Sequence, residues 1–169
     1  MEIIKRPSPN HSSRKGRTID MIVIHDTQAK TAESTISWFA TKVSGVSSHY
    51  LVDKDGTIYQ FVDEDRSAWH AGQSHFMGEG NINNCSVGIE LVDDDDTDKY
   101  PEAQSFALIE LCADLCFRYQ IRLNRIWGHA DIAIPKGRKK DPGVDFNWFI
   151  FLTLVGAHLA DRIEHEPIS

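Results

Sequence analysis

The four residues Asp53-Lys54-Asp55-Gly56 constrain this chain more than any other stretch, because they stand between two strand-like runs, 46–52 and 57–62. A turn of this composition reverses the chain at once, the glycine supplying a positive φ that other residues resist, so the two runs are expected to form a hairpin. Two further runs, 20–25 and 86–92, are short, apolar and β-branched, as buried strands are, and 125–129 reads as another. Helical spacing is expected at 32–41, capped by Thr31, with Ile36, Phe39 and Ala40 on one face. It is stronger at 102–119, where Phe106, Leu108, Leu111, Cys112, Leu115 and Tyr119 form a wide apolar stripe. A last helix starts at Asn147, after the break at Pro135, Pro142 and Gly143, and runs to about Arg162. With neither repeat nor linker, the reading is one α/β domain over 1–169, a central mixed β-sheet flanked by helices.

Between these elements, 67–84 is rich in Gly, Ser, His and Asn and has no period, so it reads as a long irregular loop of the kind that carries function. The chain's 169 residues suffice for one core, and 41% hydrophobic with 25% charged residues is ordinary globular usage. The longest apolar run, 148–152, is too short to span a bilayer, so no membrane insertion is expected. A net charge of −7 disfavours phosphate backbones, and nucleic acid is excluded as a partner. Five of those acids, Asp93, Asp94, Asp95, Asp96 and Asp98, sit together and read as a solvated loop, since a calcium loop needs spaced ligands and a glycine. The start Met1-Glu2-Ile3-Ile4-Lys5-Arg6-Pro7 has no apolar signal region and no lipobox cysteine, so synthesis as a soluble cytoplasmic protein is expected. Cys85, Cys112 and Cys116 show no disulfide framework; Cys112 and Cys116, beside Leu111 and Leu115, read as small buried hydrophobes.

Chemistry gathers at chain reversals. His25 and His129 end two expected strands, and Asp141 stands in the Lys140-Asp141-Pro142-Gly143 turn. Singly, each has an ordinary structural reading, a hydrogen-bonded histidine or a turn-forming aspartate. Together they supply two imidazoles and a carboxylate, the donor set of a catalytic zinc ion with its fourth position open to water. His25 and His129 are 104 positions apart, so only a fold can join them.

Five segments then carry a resemblance. Ile22-Val23-Ile24-His25-Asp26-Thr27, Val46-Ser47-Ser48-His49-Tyr50-Leu51-Val52, Ala68-Trp69-His70-Ala71-Gly72, Ser86-Val87-Gly88-Ile89-Glu90-Leu91, and Gly128-His129-Ala130-Asp131-Ile132-Ala133 through Arg138-Lys139-Lys140-Asp141-Pro142-Gly143 resemble the zinc-dependent N-acetylmuramoyl-L-alanine amidases of the amidase-2 family. That family includes muropeptide amidases, phage lysozymes of the amidase type and the peptidoglycan recognition proteins. The resemblance covers roughly residues 5 to 160 and implies their fold.

It also implies one Zn2+ held by His25, His129 and Asp141, with Glu90 and Lys139 catalytic. Where other members carry a tyrosine before the histidine equivalent to His49, this chain has Ser48, which leaves the general-base role to Glu90. A carboxylate between Ile89 and Leu91 is expected to be partly desolvated, which raises its pKa toward the useful range. Lys139 would stabilise an oxyanion, the rival reading being a solvated cationic face with Lys136, Arg138 and Lys140. Trp69, His70, Asn84 and His49 are the expected substrate-binding residues; Trp69 as ordinary core and His49 as a structural residue are the rivals.

The resulting expectation is a monomeric peptidoglycan hydrolase that cuts the amide between N-acetylmuramic acid and L-alanine. An endolysin or related wall hydrolase, reaching the wall on host lysis, is favoured over a cytoplasmic muropeptide-recycling amidase because the short connection before Val46 suggests an open groove. A non-catalytic peptidoglycan receptor shares the fold and is a third reading.

Overall fold

A computed structural model of the chain describes residues 1–93 and 100–165. In chain order its elements are β1 (Ile3–Lys5), β2 (His11–Ser13), β3 (Met21–Asp26), α1 (Ala32–Phe39), β4 (Tyr50–Val52), β5 (Ile58–Gln60), β6 (Arg66–Ala68), β7 (His75–Phe76), β8 (Glu79–Gly80), β9 (Ser86–Leu91), α2 (Glu102–Tyr119), β10 (Ile126–Gly128), α3 (His129–Ile132) and α4 (Trp148–His165). Six strands form the central sheet in the order β1-β5-β4-β9-β3-β10, while β2 pairs with β6 and β7 with β8 in two small ribbons. Only the β4–β5 contact of the central sheet is antiparallel, so the sheet is mixed, as expected.

That contact is the hairpin legible in the sequence. Asp53 N–H donates to the Thr57 carbonyl at 2.9 Å, and Gly56 takes φ +89°. A Cβ at Gly56 would lie 2.9 Å from the Ala103 carbonyl oxygen, so glycine is needed for space as well as for dihedral.

Side chains alternate across each strand, and the two faces of the sheet have different fates. Ile22 and Ile24 of β3, Val87, Ile89 and Leu91 of β9, and Tyr50 and Val52 of β4 face the main core. There they meet Leu108, Leu111 and Leu115 of α2 and Phe151 and Val155 of α4. Each such aliphatic side chain contributes roughly 1.5–3 kcal/mol by leaving water. On the opposite face Met21 and Val23 pack with Ala71, Ile82, Cys85 and Ile132. The same parity turns His25, Ser86, Gly88 and Glu90 toward this second face. One side of the sheet is therefore a helix-covered core and the other carries chemistry.

Several boundaries differ from the expectation. The runs at 46–52 and 57–62 shorten to β4 and β5: Phe61 N–H still donates to the His49 carbonyl, but Ser47 N–H turns to the Trp69 carbonyl instead of the hairpin partner. The segment 67–84 is not irregular throughout: it holds part of β6, the β7–β8 ribbon and a 3₁₀ turn at Ile82–Asn84. β1 and β2 have no counterpart in the sequence reading, since three residues are too few to show a period. His129 opens α3 instead of closing a strand. The helix 102–119 is found as read, and the last helix runs on to His165. All three cysteines are buried and free. Residues Asp94, Asp95, Asp96 and Asp98 of the acidic run lie outside the described residues. No helix among the described residues is long and apolar enough to cross a membrane.

Candidate metal centre and active-site groove

Parallel pairing does what sequence distance could not. β3 and β9 run in register with His25 opposite Glu90, and β10 flanks the other edge of β3 with Gly128 opposite Ile24. His129, one residue on, therefore follows beside His25 at the C-terminal end of the strands. Asp141 comes from the segment after α3, fixed where its carbonyl accepts from Ala130 N–H at 3.0 Å.

The three donor atoms form a small triangle. His25 Nδ1 lies 3.0 Å from His129 Nδ1 and 3.1 Å from Asp141 Oδ2, and His129 Nδ1 lies 3.0 Å from the same oxygen. These contacts cannot all be hydrogen bonds. If one nitrogen is protonated, one edge sets lone pair against lone pair; if both are, one edge sets hydrogen against hydrogen. A cation in front of the three atoms removes the conflict. All three residues are buried. Burial, with His129 nearby, lowers His25 to about 4 despite the adjacent Asp141 carboxylate. Burial alone would raise Asp141, but its close contacts with His129 and His25 hold it well below the usual carboxylate range. Near neutral pH the site thus presents a neutral His25 ring and a carboxylate anion, the protonation states that a metal requires. Two nitrogens and one carboxylate oxygen suit zinc.

The triangle opens into a groove of about 490 Å³, also lined by Glu90, Lys139, His70, Trp69 and Trp38. Glu90 Oε2 is enclosed and has no hydrogen-bond partner among the described residues. Burial, then the nearby charges of Asp141 and Asp26, push its carboxyl well above the ordinary range, while Lys139 opposes the shift. Lys139 itself is exposed. Trp69 is 36% exposed, so it is a wall of the groove and not core, and its Nε1–H donates to Ser12 Oγ at 3.3 Å. Trp38 escaped the sequence reading. The available signal was its position on α1 off the apolar stripe of Ile36, Phe39 and Ala40, and it is 55% exposed. A second cavity of about 260 Å³, between α2 and α4, is lined mainly by Leu91, Leu108, Ile109, Phe146, Ile150 and Leu154, without histidine or lysine.

Of the other expected substrate contacts, His70 lines the groove while His49 and Asn84 do not. His49 is fully buried, its Nδ1 accepting from Gly88 N–H at 3.0 Å, so no face is left for a ligand. Its burial, with Arg14 alongside, lowers it to about 3. His70 lines the groove, but both ring nitrogens are engaged, with His25 Nε2 at 3.0 Å and Ser86 Oγ at 3.1 Å. Asn84 does not line the groove; its Oδ1 accepts from Ser67 Oγ at 3.3 Å. The neighbouring Asn83 is the one turned to this region, its Oδ1 accepting from His70 N–H at 3.1 Å and Ala71 N–H at 2.8 Å. Ser48, at the place of the family tyrosine, is buried and outside the groove.

Comparison with known proteins agrees with this geometry. The family model described as N-acetylmuramoyl-L-alanine amidase matches residues 15–144. The 1,6-anhydro-N-acetylmuramyl-L-alanine amidase AmpD of Citrobacter freundii is 34% identical over 167 residues, covering 88% of each chain. A crystal structure of a selenomethionine derivative of AmpD superposes with a TM-score of 0.81 at 32% identity, over 90% of this chain and 94% of that one. The Escherichia coli amidase AmiD in complex with anhydro-N-acetylmuramic acid-L-Ala-D-γ-Glu-L-Lys gives 0.73 at 33% identity, over 87% of this chain and 60% of that one. The catalytic domain of XlyA, 23% identical with a TM-score of 0.72 over 92% of this chain and all of that one, shares the fold.

Proposed function

Because the chain belongs to the N-acetylmuramoyl-L-alanine amidase family, we infer that it hydrolyses the amide joining N-acetylmuramic acid to the L-alanine of a stem peptide, with one zinc ion held by His25, His129 and Asp141. The observation that carries the reading is the conflicted triangle of donor atoms with Glu90 in the same groove. A receptor that only bound wall fragments would have no use for a carboxylate with one enclosed, unpartnered oxygen beside a metal site.

When bound, zinc supplies a Lewis acid that polarises the scissile carbonyl and makes water nucleophilic near neutral pH. The chain's own residues do the rest. Glu90, on the strand beside His25, takes the proton from the attacking water as general base. It then delivers that proton to the alanine nitrogen as the C–N bond breaks, and its raised proton affinity suits both halves of the transfer. Lys139 places a positive charge at the rim of the groove, where it stabilises negative charge developing on the carbonyl oxygen. Trp69 and Trp38 offer flat apolar faces for the sugar ring or the lactyl-peptide junction.

Two forms of substrate have separate support. The relatives similar over nearly the whole chain are named for 1,6-anhydro muropeptides, which favours soluble fragments and a recycling role in the cytoplasm. The open groove favours polymeric wall. We place the soluble anhydromuropeptide first, acted on by a monomer, because that support comes with one third sequence identity.

Purified protein given an anhydromuropeptide should release free stem peptide, identified by mass spectrometry, and a chelator should stop the release. Stem peptide still joined to muramic acid in both samples would overturn the assignment. A faster rate on insoluble sacculi than on the soluble fragment would reverse the order of the two substrate forms.

A further inference from the structure

The polar contacts behind the metal triangle form a directional chain that begins at a backbone carbonyl. Ser86 Oγ lies 2.7 Å from the Ile82 carbonyl oxygen. Two oxygens at that distance need a hydrogen between them, and only the serine has one, so its proton is committed there. Ser86 Oγ must then accept from His70 Nε2–H, 3.1 Å away. With Nε2 protonated, Nδ1 of the neutral His70 ring carries a lone pair and accepts from His25 Nε2–H at 3.0 Å. That leaves His25 Nδ1 unprotonated and facing His129 and Asp141.

The next residue serves the other histidine. His129 Nε2–H donates to the Ala71 carbonyl at 3.2 Å, which likewise frees Nδ1 of His129. Both residues are tied by one side chain, since Asn83 Oδ1 accepts from the backbone N–H groups of His70 and Ala71. The His70 ring has room because position 88 on β9 is glycine; a Cβ there would lie 2.4 Å from His70 Cγ.

We propose that His70 and Ala71, clamped by Asn83, are the positioning pair that sets the tautomers of both histidine ligands: His70 through its ring, backed by Ser86, and Ala71 through its carbonyl. The proposal rests on His25 and His129 being metal ligands. The pair touches the ligands and not the reacting atoms, so its removal weakens metal binding first. Loss of such an orienting partner lowers metal affinity by about 10–100-fold.

The test uses the full chain in four forms: wild type, His70→Phe, Ser86→Ala and Asn83→Ala. Zinc affinity is measured by competition with a chromophoric chelator, and ¹⁵N chemical shifts of the histidine rings are recorded on the metal-free protein at mildly alkaline pH. In the wild type, His25, His129 and His70 are each expected to carry the proton on Nε2. His70→Phe keeps an aromatic ring over Gly88 but has no nitrogen, and should lose zinc affinity by about 10–100-fold. Asn83→Ala should lose affinity while its His129 ring signals shift together with those of His25. Ser86→Ala, the mildest change, should release the His70 tautomer, moving its proton partly to Nδ1.

An Nδ1–H tautomer of His70 in the wild type would overturn the proposal, as would unchanged zinc affinity in a His70→Phe protein that unfolds at the wild-type temperature. Should His70→Phe not fold, the Ser86→Ala tautomer shift decides: an unmoved His70 proton refutes the chain of contacts. A wild type that bound no metal would end the metal reading, and the ring shifts of the metal-free protein would still decide whether His70 orients His25.

Discussion

Two polar clusters in this molecule, one only partly buried and one at the metal triangle, treat a carboxylate in opposite ways. At the first, Glu64 joins β4 to α2. Its Oε1 accepts from Tyr50 Oη–H at 2.6 Å and Arg118 Nη2 at 2.8 Å, and its Oε2 from Tyr119 Oη–H at 2.5 Å and Arg118 Nη1 at 2.6 Å. Every lone-pair direction is answered. Although burial alone would raise it, these partners hold Glu64 down to about 2. At the second, three donor atoms crowd one another and Glu90 Oε2 has no partner among the described residues. The saturated carboxylate is a joint between elements. The crowded, unsatisfied group costs stability, a cost a fold retains where the missing partner is a metal, a water or a substrate.

The comparison breaks most sharply at the ligands. His129→Ala should lose bound zinc and with it nearly all amide hydrolysis, whereas Glu90→Ala should keep zinc and still lose turnover by about 10²–10⁴-fold. Metal analysis of the two purified variants checks this, and equal zinc contents would contradict the division of labour. Lys139→Ala should lower kcat by about 10²-fold with zinc content unchanged, as for removal of one oxyanion partner. Steady-state kinetics would show it, and an effect confined to KM would move Lys139 from the transition state to substrate binding.

The Glu64 joint should behave in the reverse way. Glu64→Gln should leave kcat unaltered but lower unfolding free energy by about 2–3 kcal/mol at neutral pH, measured by denaturant titration. The sign follows from the depressed pKa. Stability from Glu64 is complete above about 4.5, its ordinary value, and disappears as pH falls toward about 2. The difference between wild type and Glu64→Gln should therefore shrink across that window, and a constant difference would disprove the ionic origin. Smallest of all, Trp69→Ala should raise KM by roughly threefold to tenfold with little change in stability, because its ring is already partly in water. A large loss of stability instead would return Trp69 to the core.

The legible parts of the fold are those with a repeating local signal. The α2 stripe, the hairpin glycine and the β-branched runs of β3 and β9 each state their structure within a few residues. β1 and β2 do not, because three-residue strands depend on the partner that pairs with them. The candidate site divides in the same manner. His25, His129 and Asp141 were identifiable as a donor set by residue type, and Glu90 and Lys139 through the family's segments. Trp38 shows only as a residue off the apolar stripe of α1, and its place in the groove depends on how that helix packs.

The sequence by itself determined which of the longer elements form and which chemical groups are available, since periodicity, turn chemistry and side-chain type are properties of neighbouring residues. Only the tertiary structure decided which groups meet. In-register pairing of β3 with β9, and of β10 with β3, closes gaps of 65 and 104 residues (90 − 25 and 129 − 25) to bring Glu90 and His129 to His25. The same packing buries His49 under the sheet, turns Asn83 and not Asn84 toward the site, and seats His70 over Gly88 as a partner of His25. Hydrogen-bond direction and burial arise between segments distant in the chain, so no local pattern carries them.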